Sequence, residues 1–240
     1  MRRCTYNKFK CLVIGVVVLM VGSSLWAKIH TKDKGEEKKS EVYLEIPKIC
    51  QYPTLPTGCE SVAATMVLNY YGEDIQAERF AAEWLACDSN FYYENDILFG
   101  PDPNEVFAGD PFLKNSYGCF APVIEKAINE NSNLCHAEAL YNVSLPEICD
   151  TYLRRNQPVL IWATMGMREV IDGKSWILPD GSDFTWPSGE HCLVLIGYDA
   201  RHYYLNDPIC GATVGYSKNI VENRYKMMGS HALFISLKEP

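Results

Sequence analysis

The sequence predicts an α+β fold in which a helix with a cysteine at its head packs on an antiparallel sheet. Two observations carry this expectation. After Cys59, the residues Val62, Ala63, Met66, Val67 and Tyr70 recur at helical spacing and form one apolar stripe. Later come short apolar runs of strand length, chiefly Pro158–Thr164, His191–Ile196, His202–Asp207 and His231–Leu237. Helical segments followed by a cluster of strands is an α+β order, unlike the strict alternation of a parallel sheet.

The chain has 240 residues and opens with Arg2, Arg3, Lys8 and Lys10, followed by an uncharged stretch from Cys11 to Ala27. A basic leader before an apolar segment enters membranes, although this one falls slightly short of the ~20 apolar residues of a spanning helix. Residues 1–27 are therefore expected to be a signal anchor or a signal peptide. The anchor is favoured: Leu25 fits the small-residue cleavage rule poorly, and the basic residues hold the N-terminus in the cytoplasm. Residues 28–41 are rich in Lys and Glu and read as a solvated linker. Residues 42–240 remain for one domain, expected outside the cytoplasm.

Within that domain, Thr57 and Glu60 fit a capping box at the head of the Cys59 helix, and Gly72 fits its left-handed stop. Asp74 to Leu85 reads as a second helix. Cys87 to Tyr117 is long, aromatic and broken by Gly and Pro; it is expected to cover the core or to wall a cleft through Asn90–Tyr93 or Phe107–Phe112. Ala121–Glu130 is helical, and Ser144 with Glu147 caps a helix running to about Arg155. The sequence Asn142-Val-Ser144 matches a glycosylation acceptor, but Ser144 is better explained as that cap. Pro158–Thr164 is a buried strand. Pro187-Ser188-Gly189 reads as a turn before the His191 strand, and Gly197-Tyr198-Asp199 as the turn after it. The strand His202–Pro208 returns beside it as a hairpin, a helix spans Lys218–Met228, and His231–Leu237 is the last strand.

Four residues in this frame have the chemistry of a thiol hydrolase. Cys59 lies in the first helical turn, where the helix dipole favours a thiolate, the nucleophilic form. His191 stands at a strand start and can take the thiol proton. The hairpin brings Asp207 near His191, where a carboxylate fixes the imidazole tautomer; the amide of Asn206 could serve the same end. Gln51, upstream of Cys59, supplies a side-chain N–H for an oxyanion beside the backbone amide of Cys59. Each has a bland alternative: a small buried cysteine, a structural histidine, a turn aspartate before Pro208, an exposed glutamine. His30, His136, His202 and His231 have no partner motif.

The segments Ile46-Pro47, Gln51-Tyr-Pro-Thr-Leu-Pro-Thr-Gly-Cys59-Glu-Ser through Tyr71-Gly72, Gly189-Glu-His191, Gly197-Tyr-Asp199 and Tyr204-Leu-Asn-Asp207-Pro208 resemble the C39-like cysteine peptidase family, of the papain-like clan. Asp102-Pro-Asn, Phe107-Ala-Gly-Asp-Pro111 and Tyr117-Gly118 resemble its middle region. The resemblance runs from about Val42 to the C-terminus. It implies a papain-like fold, with Cys59 as nucleophile, His191 as general base, Asp207 rather than Asn206 as orienter, and Gln51 in the oxyanion hole.

A net charge of −8 argues against a nucleic-acid partner, and no glycine-rich phosphate loop is present. Of ten cysteines, Cys4 and Cys11 belong to the leader. With Cys59 as a free nucleophile, Cys50, Cys87, Cys119, Cys135, Cys149, Cys192 and Cys210 remain, an odd set whose pairing the sequence leaves open. No CxxC spacing suggests zinc. Cys192 is expected to face the core. The expectation is a monomeric, extracytoplasmic cysteine peptidase acting on a peptide or protein without cofactor or metal. Its rivals are a cell-wall peptide hydrolase or amidase using the same residues, a non-catalytic peptide-binding module, and a transglutaminase-like acyl transferase.

Overall fold

A computed structural model of the chain describes residues 41–239. The expected leader, residues 1–27, and all of the expected linker except Glu41 lie outside the described residues. Among the described residues, no helix is long and apolar enough to cross a membrane.

The strands are β1 (Val42–Tyr43), β2 (Cys87–Asp88), β3 (Tyr92–Glu94), β4 (Ile97–Phe99), β5 (Phe107–Ala108), β6 (Cys135–Tyr141), β7 (Val159–Thr164), β8 (Ile171–Ile177), β9 (Asp183–Ser188), β10 (Glu190–Tyr198), β11 (His202–Asp207), β12 (Ala212–Ser217) and β13 (His231–Leu237). The helices are α1 (Cys59–Tyr70), α2 (Ala77–Arg79, continued by a π-turn over Phe80–Trp84), α3 (Ala121–Asn131), α4 (Leu145–Thr151) and α5 (Lys218–Met227). One seven-stranded antiparallel sheet, ordered β12-β11-β10-β7-β13-β6 with β1 added to β10, forms the backbone of the domain. A smaller sheet, β3-β4-β8-β9, stands beside it. The fold is α+β, with α1 packed against β10 and β7.

β7 and β10 are buried along their whole length, so they read as continuous apolar runs rather than alternating ones. The first ten residues of α1, Cys59–Leu68, are likewise all buried. A helix with no solvent face is enclosed on every side. It ends in a Schellman motif: the N–H of Glu73 donates to Leu68 O at 3.0 Å and that of Gly72 to Asn69 O at 3.1 Å, with Gly72 at φ +95°. Ser144 caps α4 as expected, its hydroxyl accepting from the N–H of Glu147 at 3.3 Å.

Several expectations are corrected. There is no capping box on α1. Gly58 is the N-cap, and Thr57 donates instead to Leu113 O at 2.9 Å, pinning the 110–113 loop. Glu60 points inward. The second helix is short and starts at Ala77, later than expected. β10 runs through Gly197 and Tyr198 with a bulge there, so the turn falls at Asp199, whose Oδ1 accepts from the N–H groups of Arg201 and His202. Pro187 and Ser188 end strand β9, and Gly189 alone makes the kink, at φ +79°.

Candidate active site

Cys59 is the first residue of α1 and is 6% exposed. Its thiol donates to Glu60 Oε2 at 3.3 Å and accepts from the N–H of Cys192, on β10, at 3.5 Å. Among the described residues it makes no hydrogen bond to His191. Burial, followed by the charges of Glu60 and Glu190, holds this thiol well above its ordinary range. The helix dipole was expected to favour a thiolate here; desolvation and the neighbouring Glu60 and Glu190 act against it.

His191 and Asp207 are brought together. Val194 pairs with Asn206 across β10 and β11. Continuing that register sets Asp207 opposite Leu193 and diagonal to His191 on the same face. His191 Nε2 and Asp207 Oδ1 are 2.8 Å apart, both residues nearly buried. Burial raises the Asp207 carboxyl, but the His191 contact and the N–H of Ile209 (2.8 Å) outweigh it and leave it below its ordinary value. The rival orienter, Asn206, is otherwise engaged. Its amide donates to Ile46 O and Pro47 O, both at 3.3 Å, and its Oδ1 accepts from Thr213 at 2.6 Å.

Gln51 is 4% exposed, so the reading of it as an exposed glutamine does not hold. Its Nε2 donates to Pro56 O at 3.0 Å, which closes the loop leading into α1. Gln51, Cys59, Glu190 and His191 line one cleft of about 280 Å³, walled by Lys114, Ser116, Tyr117, Met165, Trp186 and Ile209. A larger hollow of about 430 Å³ lies between Asn142–Pro146 and Glu222–Lys226 and holds none of the four candidate residues. The long 87–117 segment does contribute a cleft wall, through residues 114–117 rather than Asn90–Tyr93. Phe107 and Ala108 are fully buried and belong to the core. Trp186 packs on Tyr117 with ring centroids 5.5 Å apart, which gives the cleft an aromatic side.

A buried acid pair was not foreseen. Glu60 and Glu190 both lie beneath Cys59, at 0% and 7% exposure. Glu60 Oε1 accepts from the N–H of Cys119 at 2.7 Å, and Glu190 Oε1 has no partner. Gly118 makes room for them: a Cβ there would lie 2.5 Å from Glu60 Oε1 and 3.1 Å from Glu190 Oε2. Burial raises Glu60 to about 7 despite the Cys119 hydrogen bond, and burial with the charge of Glu60 raises Glu190 well above its ordinary range. Ligand atoms of Cys59, Glu60 and Glu190 lie within 4.8 Å of one another, a spacing that would also admit a cation. A proton held by the pair meets the same electrostatic need. Three residues after Thr57, Glu60 reads as a capping residue, so no local signal marked it as buried.

Residues 43–233 match the Peptidase_C39 like family. The uncharacterized protein YvpB of Bacillus subtilis (strain 168) is 28% identical over 186 residues, covering 76% of this chain and 70% of that protein. A crystal structure assigned as a C39-like peptidase from Bacillus anthracis superposes with a TM-score of 0.72 at 25% identity, covering 83% of this chain and 99% of that one. Xylellain, a cysteine protease from Xylella fastidiosa, is similar only at a TM-score of 0.33 and 13% identity, over 84% of this chain and 86% of that one.

Proposed function

The chain belongs to the C39-like peptidase family, and from that premise we propose that it is a cysteine peptidase hydrolysing peptide bonds through Cys59, His191 and Asp207, with Gln51 in the oxyanion hole. The observation that carries this reading is the 2.8 Å contact of Asp207 with His191, which lines the same cleft as Cys59 at a helix N-terminus. With Nε2–H donated to Asp207, the imidazole presents Nδ1 as its basic nitrogen.

In this reading the thiol rests on Glu60 until His191 Nδ1 takes its proton. The thiolate attacks the peptide carbonyl carbon. The oxyanion forms at the first-turn amide of Cys59 and at Gln51 Nε2, which gives up Pro56 O to reach it. The tetrahedral intermediate collapses, the amine leaves with the proton from His191, and water then hydrolyses the thioester. The protein acts as a monomer outside the cytoplasm, anchored or released through residues 1–27, on a peptide or protein substrate.

The test is alkylation of Cys59 as a function of pH, with His191→Ala beside the parent. Reaction at lower pH in the parent than in the variant supports the pair. Equal, ordinary reactivity in both proteins would replace this reading with a non-catalytic peptide-binding module.

A further inference from the structure

All eight described cysteines carry free thiols: Cys119, Cys135, Cys149 and Cys192 are buried with Cys59, and Cys50, Cys87 and Cys210 are exposed. Two of the exposed thiols flank the site. Cys50 immediately precedes Gln51, and Cys210 lies three residues beyond Asp207. The two segments are in direct backbone contact, the N–H of Gln51 donating to Pro208 O at 2.8 Å. A Cβ on Gly211 would stand 2.9 Å from Cys50 Cβ and 3.2 Å from its Cα, so Cys50 is pressed against the residue next to Cys210. Both sulfurs rest on carbonyls of one turn: Cys50 Sγ on Ile209 O at 3.6 Å, Cys210 Sγ on Asp207 O at 3.7 Å and Ala212 O at 3.8 Å. Such S–H contacts are weak and yield easily.

We propose that Cys50 and Cys210 are a modification site, joined reversibly as a disulfide that ties the segment carrying Gln51 to the turn carrying Asp207. The oxidant is a small-molecule disulfide of the glutathione class. One cysteine, as thiolate, attacks it; a mixed disulfide forms and one small thiol leaves. The second cysteine, also as thiolate, attacks the protein sulfur of that mixed disulfide, the Cys50–Cys210 bond forms, and the second small thiol leaves. Two protein thiols are oxidised, and one small disulfide is reduced to two thiols. The link closes a long loop of chain, which restricts the unfolded state most. The closeness of the two thiols is independent of the proposed function; the effect of the link on the oxyanion loop rests on it.

The full chain is equilibrated with reduced and oxidised glutathione at graded ratios, free thiols are blocked, and peptides are mapped without reduction. A Cys50–Cys210 linked peptide that grows with the oxidised fraction is expected. So is a Tm higher by about 10 °C than that of the reduced protein, a gap that vanishes in Cys50→Ser and in Cys210→Ser. Stable glutathione adducts on both residues without a link, or links from either residue to Cys87, would overturn the proposal. Neither readout involves substrate, so this proposal and the peptidase reading fail separately.

Discussion

Asp207 and Glu60 are both buried carboxylates that touch the reactive groups of the site, and their protons go opposite ways. Asp207 meets an imidazole and a backbone N–H, and its carboxyl is held below the ordinary range. Glu60 meets a thiol, one backbone N–H and a second carboxylate, and its carboxyl is raised to about 7. Burial acts in the same direction on both. The balance differs: at Asp207 the facing imidazole and the N–H of Ile209 outweigh desolvation, whereas at Glu60 the hydrogen bonds from Cys59 and Cys119 do not. The His191–Asp207 side of the site is thus poised to carry charge and the Glu60–Glu190 side to avoid it.

The sharpest way to break this contrast is to remove the thiol itself. Cys59→Ala should lower peptide turnover by at least about 10³-fold while leaving the circular dichroism spectrum unchanged; surviving turnover would end the peptidase assignment. On the charged side, His191→Ala and Asp207→Asn should each lower kcat/KM by about 10²–10⁴-fold, and the two losses should not add, as expected of one unit. Gln51→Ala removes one oxyanion donor and should lower kcat by about 10²–10³-fold with little change in KM. The smallest effect falls on the uncharged side. Glu60 binds its proton more tightly folded, at about 7, than unfolded, at about 4.5. Its contribution to stability is therefore complete below about 4.5 and is lost as pH rises through about 7, a few kcal/mol in all. Glu60→Gln still accepts from Cys119 but cannot ionise. The fall in Tm between pH 4.5 and 8 should become shallower, with a residual slope from Glu190, while Cys59 alkylates several-fold faster.

Much of the charged side was legible in the sequence. The Cys59 helix, the His191 run and its returning hairpin follow from periodicity, and β10–β11 pairing then puts Asp207 within reach of His191. Deciding between Asp207 and Asn206 needed more, because neighbouring residues on a strand face opposite ways and only the register says which way. The uncharged side was hidden. Glu60 fits a capping box three residues after Thr57, and nothing local reveals that Cys119, far along the chain, offers it a buried N–H. The smaller sheet was also passed over, although Asp180-Gly181 marks the β8–β9 turn, in which the N–H of Leu178 donates to Ser182 O at 2.9 Å. β6 was missed despite its alternating burial, since Cys135–Tyr141 mixes Ala, Glu and His rather than β-branched residues.

The contact between Cys59 and Glu60 also bears on how long such a protein lasts. Peroxides climb the sulfenic, sulfinic and sulfonic steps from the thiolate, and they need access to it. A sulfur stored largely buried, protonated and against a carboxyl offers them little. Wear should then accumulate with use rather than with age, because each turnover exposes the sulfur that rest conceals.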